Sequence, residues 1–321
     1  MRKWMVCVAV MGLMWSAPIP GADAAEECGN DEVWTVAVLA DLNEEYGSTH
    51  YGEDVTGAVD WITGDLQPDL VVVAGDMVAG QMEGLNYPAM WSAFHETVSD
   101  ELSDAGIPMA VTPGNHDASE QPRFWRERIE FVRQWEIRRP RLQFVDQRMY
   151  PLHYAFQMGP ALFVSLDGTG VGELDDGQLE WIEQTLAQHS HLDVVIMLSH
   201  VPQYPVAQGR EHEIFDDRRL ARLKEQYGVD LMISGHHHAY FPALHGDTYL
   251  LHAQALGSGT RPLVGEDETR PRNAAVVQYD CDGIRSIEAY ESPDFEDVVD
   301  IEDLPESIEV DDHRLRRMDL E

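Results

Sequence analysis

Five stretches of the chain share one pattern, an apolar run that ends at a polar residue able to bind a metal ion. Continuous Val, Ile and Leu runs bounded by Gly and charged residues are typical of strands buried on both faces, as in sheets covered by helices. Ligands of open α/β sheets bind beyond the carboxyl ends of the strands, so five such ends together predict one shared site. The polar residues at the five ends are Asp41, Asp76, Asn115, His200 and His236.

The turn at residues 111–117 carries the clearest local signal. It reads Val-Thr-Pro-Gly-Asn-His-Asp and directly follows an apolar run. Asn115 offers a carbonyl oxygen to a cation, while the neighbouring His116 is free to transfer a proton. His238 follows His236 by two residues and adds another imidazole. The sequence therefore predicts metal binding next to a group that moves a proton.

Helical patterns separate these runs. Apolar residues recur at helical spacing at residues 54–66 and 87–105, and further helices are predicted at 175–189 and 216–227. Strand-like runs flank Gly159-Pro160 and Gly246-Asp247, which are turn signals. This alternation is compatible with a layered α/β architecture.

The motifs, in chain order, are Asp41-Leu42-Asn43, Gly75-Asp76, Gly114-Asn115-His116-Asp117, His200 and Gly235-His236-His237-His238. Together they resemble the calcineurin-like metallophosphoesterases, relatives of purple acid phosphatases and cyclic-nucleotide phosphodiesterases. The resemblance spans most of the chain. It implies a four-layer α/β/β/α sandwich of two mixed sheets flanked by helices.

The resemblance also implies a role for each motif residue. Asp41 and His238 would hold one metal ion, and Asp76 would bridge both ions. His116 would protonate the leaving group or stabilise the transition state, with Asp117 orienting its ring. The second ion would be held by Asn115, His200 and His236.

Two positions depart from related patterns. The first motif of the family usually ends in His, whereas this chain has Asn43. An amide oxygen is a weaker donor than imidazole, so a looser first metal site is expected. Purple acid phosphatases carry a Tyr three residues after the bridging Asp, where this chain has Ala79. The colour of a Tyr-bound ferric ion is therefore not expected.

The donor set itself indicates the metals and the chemistry. A mixture of Asp, Asn and His without Cys suits transition metals such as Mn, Zn or Fe better than Ca. Seven candidate ligands, one of them a carboxylate shared by two ions, suit a pair of metal ions. Two ions could activate a hydroxide for in-line hydrolysis of a phosphate mono- or diester. The seven candidates are Asp41, Asn43, Asp76, Asn115, His200, His236 and His238. Either ester class would fit. A secreted binding module that holds metal without turnover is the alternative, because Asn43 weakens one site.

Charge limits the partners. The formal net charge is −36, from 58 acidic and 22 basic residues. Such a surface repels nucleic acid polymers and anionic membranes, so neither is expected as a partner. The expected partner is the small phosphate ester that the family resemblance and the two-metal chemistry imply. The acid-rich, Lys-poor composition suggests a protein that works in high salt, where screening reduces self-repulsion.

The N-terminal 24 residues resemble a secretory signal. Basic residues precede a short apolar stretch, and Ala22-Asp23-Ala24 provides a small-residue cleavage site. We therefore expect a periplasmic or secreted protein. After cleavage Cys28 and Cys281 remain, and they would either form a disulfide or stay as two unrelated thiols.

Residues 25–290 are assigned to the metallophosphoesterase domain and residues 291–321 to an acidic C-terminal tail. The tail contains few apolar residues, so it is predicted to be poorly ordered or draped over the surface. Eight arginines lie within residues 123–148. They would form either a rim that attracts anionic substrates or a solvated helix paired with the tail.

Overall fold

Buried apolar runs form the strands at the centre of the fold, as the sequence predicted. The computed structural model describes residues 32–320. It contains two mixed β-sheets with helices alongside them, which confirms the predicted sandwich architecture. In spatial order the first sheet comprises β12 (Gly283–Glu291), β11 (Asn273–Asp280), β1 (Trp34–Leu39), β2 (Leu70–Val73) and β3 (Met109–Val111). Of these, β1, β2 and β3 run parallel, while β11 and β12 are antiparallel to their neighbours.

The second sheet has nine strands, of which the four central ones, β10, β8, β7 and β6, are parallel. The remaining strands extend both edges in antiparallel pairs. Its spatial order is β13 (Ser307–Val310), β14 (His313–Arg317), β9 (Phe241–His245), β10 (Thr248–His252), β8 (Leu231–Ser234), β7 (Val194–Leu198), β6 (Ala161–Ser165), β5 (His153–Met158) and β4 (Gln143–Met149).

Helices fill the predicted intervals between strands. The first two predicted helices contain π-turns, at Ile62–Leu66 and His95–Ser99. A core of aromatic rings anchors α5, where Trp135 packs edge-on against Trp91 and Phe94 of α2. The helices are α1 (Glu53–Trp61), α2 (Tyr87–Phe94), α3 (Asp100–Asp104), α4 (Asn115–Ala118), α5 (Trp125–Ile137), α6 (Asp176–Gln188) and α7 (Arg218–Tyr227).

Hydrogen bonds through buried side chains join the two sheets. The Tyr154 hydroxyl on β5 donates to the Val111 carbonyl on β3 at 2.7 Å. Thr112 donates to the Leu166 carbonyl at 2.9 Å. Both bonds lie just before the turn that carries Asn115 and His116. They fix the end of β3 relative to the second sheet, and therefore fix the two halves of the candidate site relative to each other.

The C-terminal segment corrects the prediction of a poorly ordered or surface-draped tail. Residues 307–317 form a β-hairpin, and β14 pairs with β9 at the edge of the second sheet. Its apolar side chains Ile308 and Leu315 are buried, as is Arg317. Alternation of single apolar residues with charges is sufficient for an edge strand, because only one face needs to be buried. In the sequence the many acidic residues mask this alternation.

The arginines of residues 123–148 pair with acidic groups near them. Arg128 binds Asp167 and Arg138 binds Asp100, and Arg133 and Arg148 pair with acids two or three residues away. None of these four pairs involves the C-terminal hairpin, which lies at the opposite edge of the sheet from β4. The predicted pairing with the tail is therefore wrong for these four arginines, which bind acidic groups elsewhere in the fold.

Three further predictions concern the chain ends and the membrane. The predicted signal segment lies outside the described residues. Cys281 is disulfide-bonded, which excludes a free thiol there, while its predicted partner Cys28 is also outside the described residues. Across residues 32–320, no helix combines the length and the apolar character needed to cross a bilayer.

Lys224 on α7 supplies a test of the packing. It is buried, its Nζ has no hydrogen-bond partner, and burial lowers its pKa from 10.5 to about 7. At a pH between these two pKa values, Lys224 is protonated in the unfolded chain but not in the folded chain. The destabilisation caused by burying Lys224 therefore decreases as the pH rises. We expect Lys224→Met to raise the free energy of unfolding at pH 7 by about 1–3 kcal/mol.

Urea unfolding at pH 7 and pH 9 measures this effect. Lys224→Met should raise the free energy of unfolding by less at pH 9 than at pH 7, because burial of the lysine destabilises the wild type less at the higher pH. Arg222→Met, on the exposed face of the same helix, is the matched control and should change stability little. A Lys224→Met protein no more stable than the control would contradict the prediction.

Candidate metal centre

Side chains from the ends of β1, β2 and β7 meet at one point. Nε2 of His200 lies 3.2 Å from Oδ2 of Asp76 and 4.0 Å from Oδ1 of Asp41. Among the described residues, these three form a group whose donor atoms all lie within 4.8 Å of one another. All three side chains are buried. The predicted convergence of distant strand ends is therefore present at this point.

Two more predicted ligands contact this group. Oδ1 of Asn115, at the start of α4, is 2.9 Å from Nε2 of His200. Nε2 of His238, after β8, is 3.1 Å from Oδ1 of Asp41. His238 thus contacts Asp41 and Asn115 contacts His200, while the division of these ligands between two ions stays a prediction.

Hydrogen bonds to backbone carbonyls orient the two histidines. Nδ1 of His200 donates to the Ala74 carbonyl at 2.8 Å, and Nδ1 of His238 donates to the Gly259 carbonyl at 2.7 Å. Each bond places the hydrogen on Nδ1 and directs Nε2 toward a carboxylate. Metal-binding histidines characteristically donate their second ring nitrogen in this way, which fixes the tautomer.

The electrostatics favour cations. Burial acts to raise the pKa of Asp41 and Asp76, but the neighbouring imidazoles lower the pKa of both carboxyls below the ordinary range. Burial also acts to lower the pKa of His200, yet the charges of Asp76 and Asp41 raise it to about 9. Without a metal ion, a proton on His200 thus balances part of the negative charge. Cations would fulfil the same role.

The backbone at this centre adopts a conformation that side chains disfavour. Asp41, Asp76, His236 and His238 have φ between +51° and +65°, and within residues 32–320 only four other non-glycine residues have positive φ. Such strain clusters at functional sites, where the surrounding structure holds it in place. Gly114 is required next to them, because a Cβ there would clash with the backbone nitrogen and Oδ1 of Asp76.

His236 and Asn43 are placed differently from the other predicted ligands. The His236 ring centroid is 5.1 Å from that of His200, and its backbone nitrogen donates to Asp41 at 3.0 Å. Its ring nitrogens face Arg210 and Glu213. Asn43 is buried, and its Oδ1 accepts a hydrogen bond from the Ser258 hydroxyl at 2.8 Å. The same hydroxyl also lies 2.8 Å from the Asn43 carbonyl oxygen, so its single hydrogen is shared between two acceptors.

His116 lies at the opening of the site. Its backbone nitrogen donates to Oδ1 of Asp76 at 2.8 Å, and its Nε2 is 4.0 Å from Oδ2 of the same residue. Its Nδ1 bonds to the Gly80 carbonyl at 3.0 Å. Tyr46, more than half exposed, packs beside the ring with centroids 5.4 Å apart.

The contacts of Asp117 correct its predicted role. Its two oxygens accept hydrogen bonds from the backbone nitrogens of Val78 and Gly114, at 2.9 and 3.1 Å. The Gly80 carbonyl, rather than Asp117, orients the His116 ring. Burial raises the pKa of the Asp117 carboxyl well above its usual range, and the nearby charge of Asp76 adds to this effect. Asp117 therefore acts by joining the turns after β2 and β3.

The residues present fit a pair of transition-metal ions. Carboxylate, amide and imidazole donors converge from the ends of separate strands. Nε2 of His200 lies near the carboxylates of both Asp41 and Asp76, and Nε2 of His238 lies near that of Asp41. Thiolates are absent from the described donors, and the mixed set is typical of Mn, Zn and Fe sites.

Comparison with known proteins identifies the family. The sequence model of the calcineurin-like phosphoesterases matches residues 35–240. The chain belongs to the calcineurin-like phosphoesterase family. Enzymes of this kind are phosphoester hydrolases that depend on a dinuclear metal centre, which agrees with the cluster formed by Asp41, Asp76 and His200. The chain has no significant match among curated protein sequences.

Solved structures share the fold of this calcineurin-like phosphoesterase at low identity. Purple acid phosphatase PPD1 from yellow lupin (Lupinus luteus) has a TM-score of 0.64 at 18% identity over 83% of this chain. The chain spans about half of that protein, 52% of its length. A dimetal phosphatase from Danio rerio gives 0.52 at 16% identity, covering 77% of this chain and 95% of its own. GAP50, described as the anchor in the inner membrane complex of Plasmodium, gives 0.55 at 15% identity, covering 84% and 86%.

Several residues beside the centre are not marked by the sequence pattern, namely Arg210, Glu213 and Arg261. They lie on loops without strand-end patterns, so no local periodicity marks them. The Gly257-Ser258-Gly259 run was the available signal, because a Cβ on Gly257 would clash with the Leu42 carbonyl of the first motif.

Proposed function

We propose that the protein is an exported phosphoesterase that hydrolyses small phosphate mono- or diesters at a centre of two transition-metal ions. The observation that carries this proposal is the orientation of His200 and His238, whose Nε2 atoms face Asp76 and Asp41 while both Nδ1 atoms donate to carbonyls. Export rests on the signal-like N-terminal sequence, and Mn, Zn or Fe on the donor chemistry.

The ligand roles are those implied by the family resemblance, and the distances among Asp41, Asp76, Asn115, His200 and His238 support them. Asp41 and His238 would hold one ion, and Asp76 would contact both. Asn115, His200 and His236 would hold the other, with the His236 ring turning from Glu213 to do so. When bound, the two ions supply a water of lowered pKa and electrophilic stabilisation of the phosphoryl group.

His116 is the proton donor of the proposal. Because its Nδ1 donates to the Gly80 carbonyl, Nε2 is the ring nitrogen left to carry the transferable proton. The ring is at the opening of the site, 17% exposed, so an ester oxygen can reach it. Protonation of that oxygen as the P–O bond breaks would convert a poor alkoxide leaving group into an alcohol.

A binding module without turnover is the second candidate. The engaged Oδ1 of Asn43 would weaken one metal site, and the fold is shared with GAP50, a protein described as an anchor. In this case metal ions would shape a surface and would not hydrolyse an ester.

Parallel assays separate these candidates. Metal-loaded protein is incubated with p-nitrophenyl phosphate and with bis-p-nitrophenyl phosphate, in Mn and in Zn, and bound metal is counted per chain. We expect two ions per chain and hydrolysis of at least one ester, since good leaving groups need little help from the acid. Two bound ions with no hydrolysis of either ester would instead support the binding module.

A further inference from the structure

Two arginines from separate loops are tethered to the two outer histidines of the 236–238 run. Nη1 of Arg210 donates to the His236 carbonyl at 2.7 Å and lies 3.0 and 3.1 Å from the two ring nitrogens of His236. The backbone nitrogen of Arg261 donates to the His238 carbonyl at 3.0 Å. We call Arg210 and Arg261 the arginine pair. Both lie directly beside predicted metal ligands.

Backbone hydrogen bonds hold the two loops together. Ala207 and Leu263 form an antiparallel bridge, and the Gln208 nitrogen donates to the Pro262 carbonyl at 2.9 Å. The guanidinium of Arg261 packs against Gly209, where Nη1 would lie 3.7 Å from an added Cβ. The buried His237 also fixes the first loop, accepting from the Val206 nitrogen and donating to the Glu213 carbonyl. The backbones of Arg210 and Arg261 are therefore held next to each other, and the His236 carbonyl also fixes the Arg210 guanidinium.

The arginine pair has more donors than partners. Nε of Arg210 and Nε of Arg261 are both buried and have no hydrogen-bond acceptor. Burial and the nearby charge of Arg210 lower the pKa of Arg261, which reflects the closeness of two positive groups. Unpaired guanidinium donors in the interior are costly, and their forked geometry matches phosphate oxygens.

The Glu213 carboxylate occupies part of the position beside Arg210 that an anionic ligand would take. Oε2 of Glu213 lies 3.4 Å from Nη1 of Arg210 and 2.9 Å from Nε2 of His236. The Glu213 side chain is 47% exposed, whereas that of Arg210 is 15% exposed, so the carboxylate can leave while the guanidinium stays. A phosphate group that displaced it would bring two negative charges to the two arginines.

We propose that the arginine pair binds the non-bridging oxygens of a terminal phosphate, which makes dianionic phosphate monoesters the preferred substrates. A diester presents one charge and a second organic group, so it gains less from two guanidinium groups and is crowded by them. This inference rests on the proposed function, because it identifies the substrate class of the same site.

Binding of two small anions tests the inference separately from turnover. Titration calorimetry on metal-loaded protein at pH 8 compares inorganic phosphate, largely a dianion, with dimethyl phosphate, a monoanion. Arg210→Met and Arg261→Met should each weaken phosphate binding about 10- to 100-fold, the range for hydrogen bonds to charged groups. Binding of dimethyl phosphate should change by less than about 3-fold.

Three further variants make the outcome specific. Glu213→Gln should tighten phosphate binding, because it removes the competing charge, and a purely structural role for this loop would not produce a gain. Arg210→Lys keeps the charge and should retain part of the preference for phosphate. Arg126→Met, which removes an exposed charge from α5, is the control and should leave both affinities unchanged.

Hydrolysis of p-nitrophenyl phosphate and bis-p-nitrophenyl phosphate by the same variants gives the second readout. The monoester should lose most of its kcat/KM in the two Met variants, while the diester should lose little. Equal losses for both esters, or phosphate affinity unchanged in Arg210→Met, would overturn the inference. A wild-type protein that binds phosphate through the arginine pair but hydrolyses neither ester would refute only the proposed function.

Discussion

Asp76→Asn should lower kcat/KM by at least about 1000-fold and reduce the bound metal below two ions per chain. Stabilisation of transition-state charge by metal ions amounts to several kcal/mol, and each 1.36 kcal/mol changes the rate about tenfold. Asp76 contacts both Nε2 of His200 and the backbone nitrogen of His116 from a buried position. Asparagine has nearly the same shape as aspartate. The loss of activity and metal would therefore result from removing the charge and the second carboxylate oxygen, and not from altered packing.

Metal counting by mass spectrometry and steady-state kinetics measure this expected loss. Asp65→Asn, at an exposed position after α1, removes the same charge away from the site and should behave as wild type. An Asp76→Asn protein that retains two ions and the normal rate would refute the bridging role of Asp76.

His116→Ala should have a different signature, with metal retained and the rate reduced. Its contact with Asp76 is made by the backbone nitrogen, which alanine preserves. Loss of a general acid reduces the rate by about 100- to 10,000-fold. The loss should be greatest for alkyl phosphates and smallest for p-nitrophenyl esters, because only a poor leaving group requires a proton as the bond breaks.

A series of esters with leaving groups of increasing pKa distinguishes this role from a structural one. In the wild type the rate should depend weakly on leaving-group pKa, and in His116→Ala it should depend steeply. His191→Ala, at an exposed histidine after α6, serves as the control. A uniform loss across the series would assign His116 to transition-state stabilisation instead of proton donation.

The strand ends of the site were predictable because they obey a local rule. Buried parallel strands require continuous apolar runs, and the residue after each run is placed at the shared edge of the sheet. Asp41, Asp76, Asn115 and His200 could therefore be placed at this edge from sequence alone, and their side chains do converge. The family resemblance further paired His238 with Asp41, and the 3.1 Å contact agrees with that pairing.

The role of Asp117 could not be obtained in this way. Its place next to His116 suggested a contact between the two side chains, but α4 directs the carboxylate to the nitrogens of Val78 and Gly114. The C-terminal hairpin was missed for a related reason. Its charged residues dominate the composition, while pairing with β9 depends on a strand more than sixty residues earlier.

The sequence by itself determined where the central strands end, which donor atoms follow them, and the acidic character of the chain. These features follow from local burial patterns and from side-chain chemistry. Only the tertiary structure decided which nitrogen of each histidine faces a carboxylate, which carbonyl orients His116, and that Arg210 and Arg261 lie beside the centre. Each of these contacts joins groups that are distant along the chain, or depends on the direction of a side chain. The packing of the loops sets both, and no local pattern encodes them.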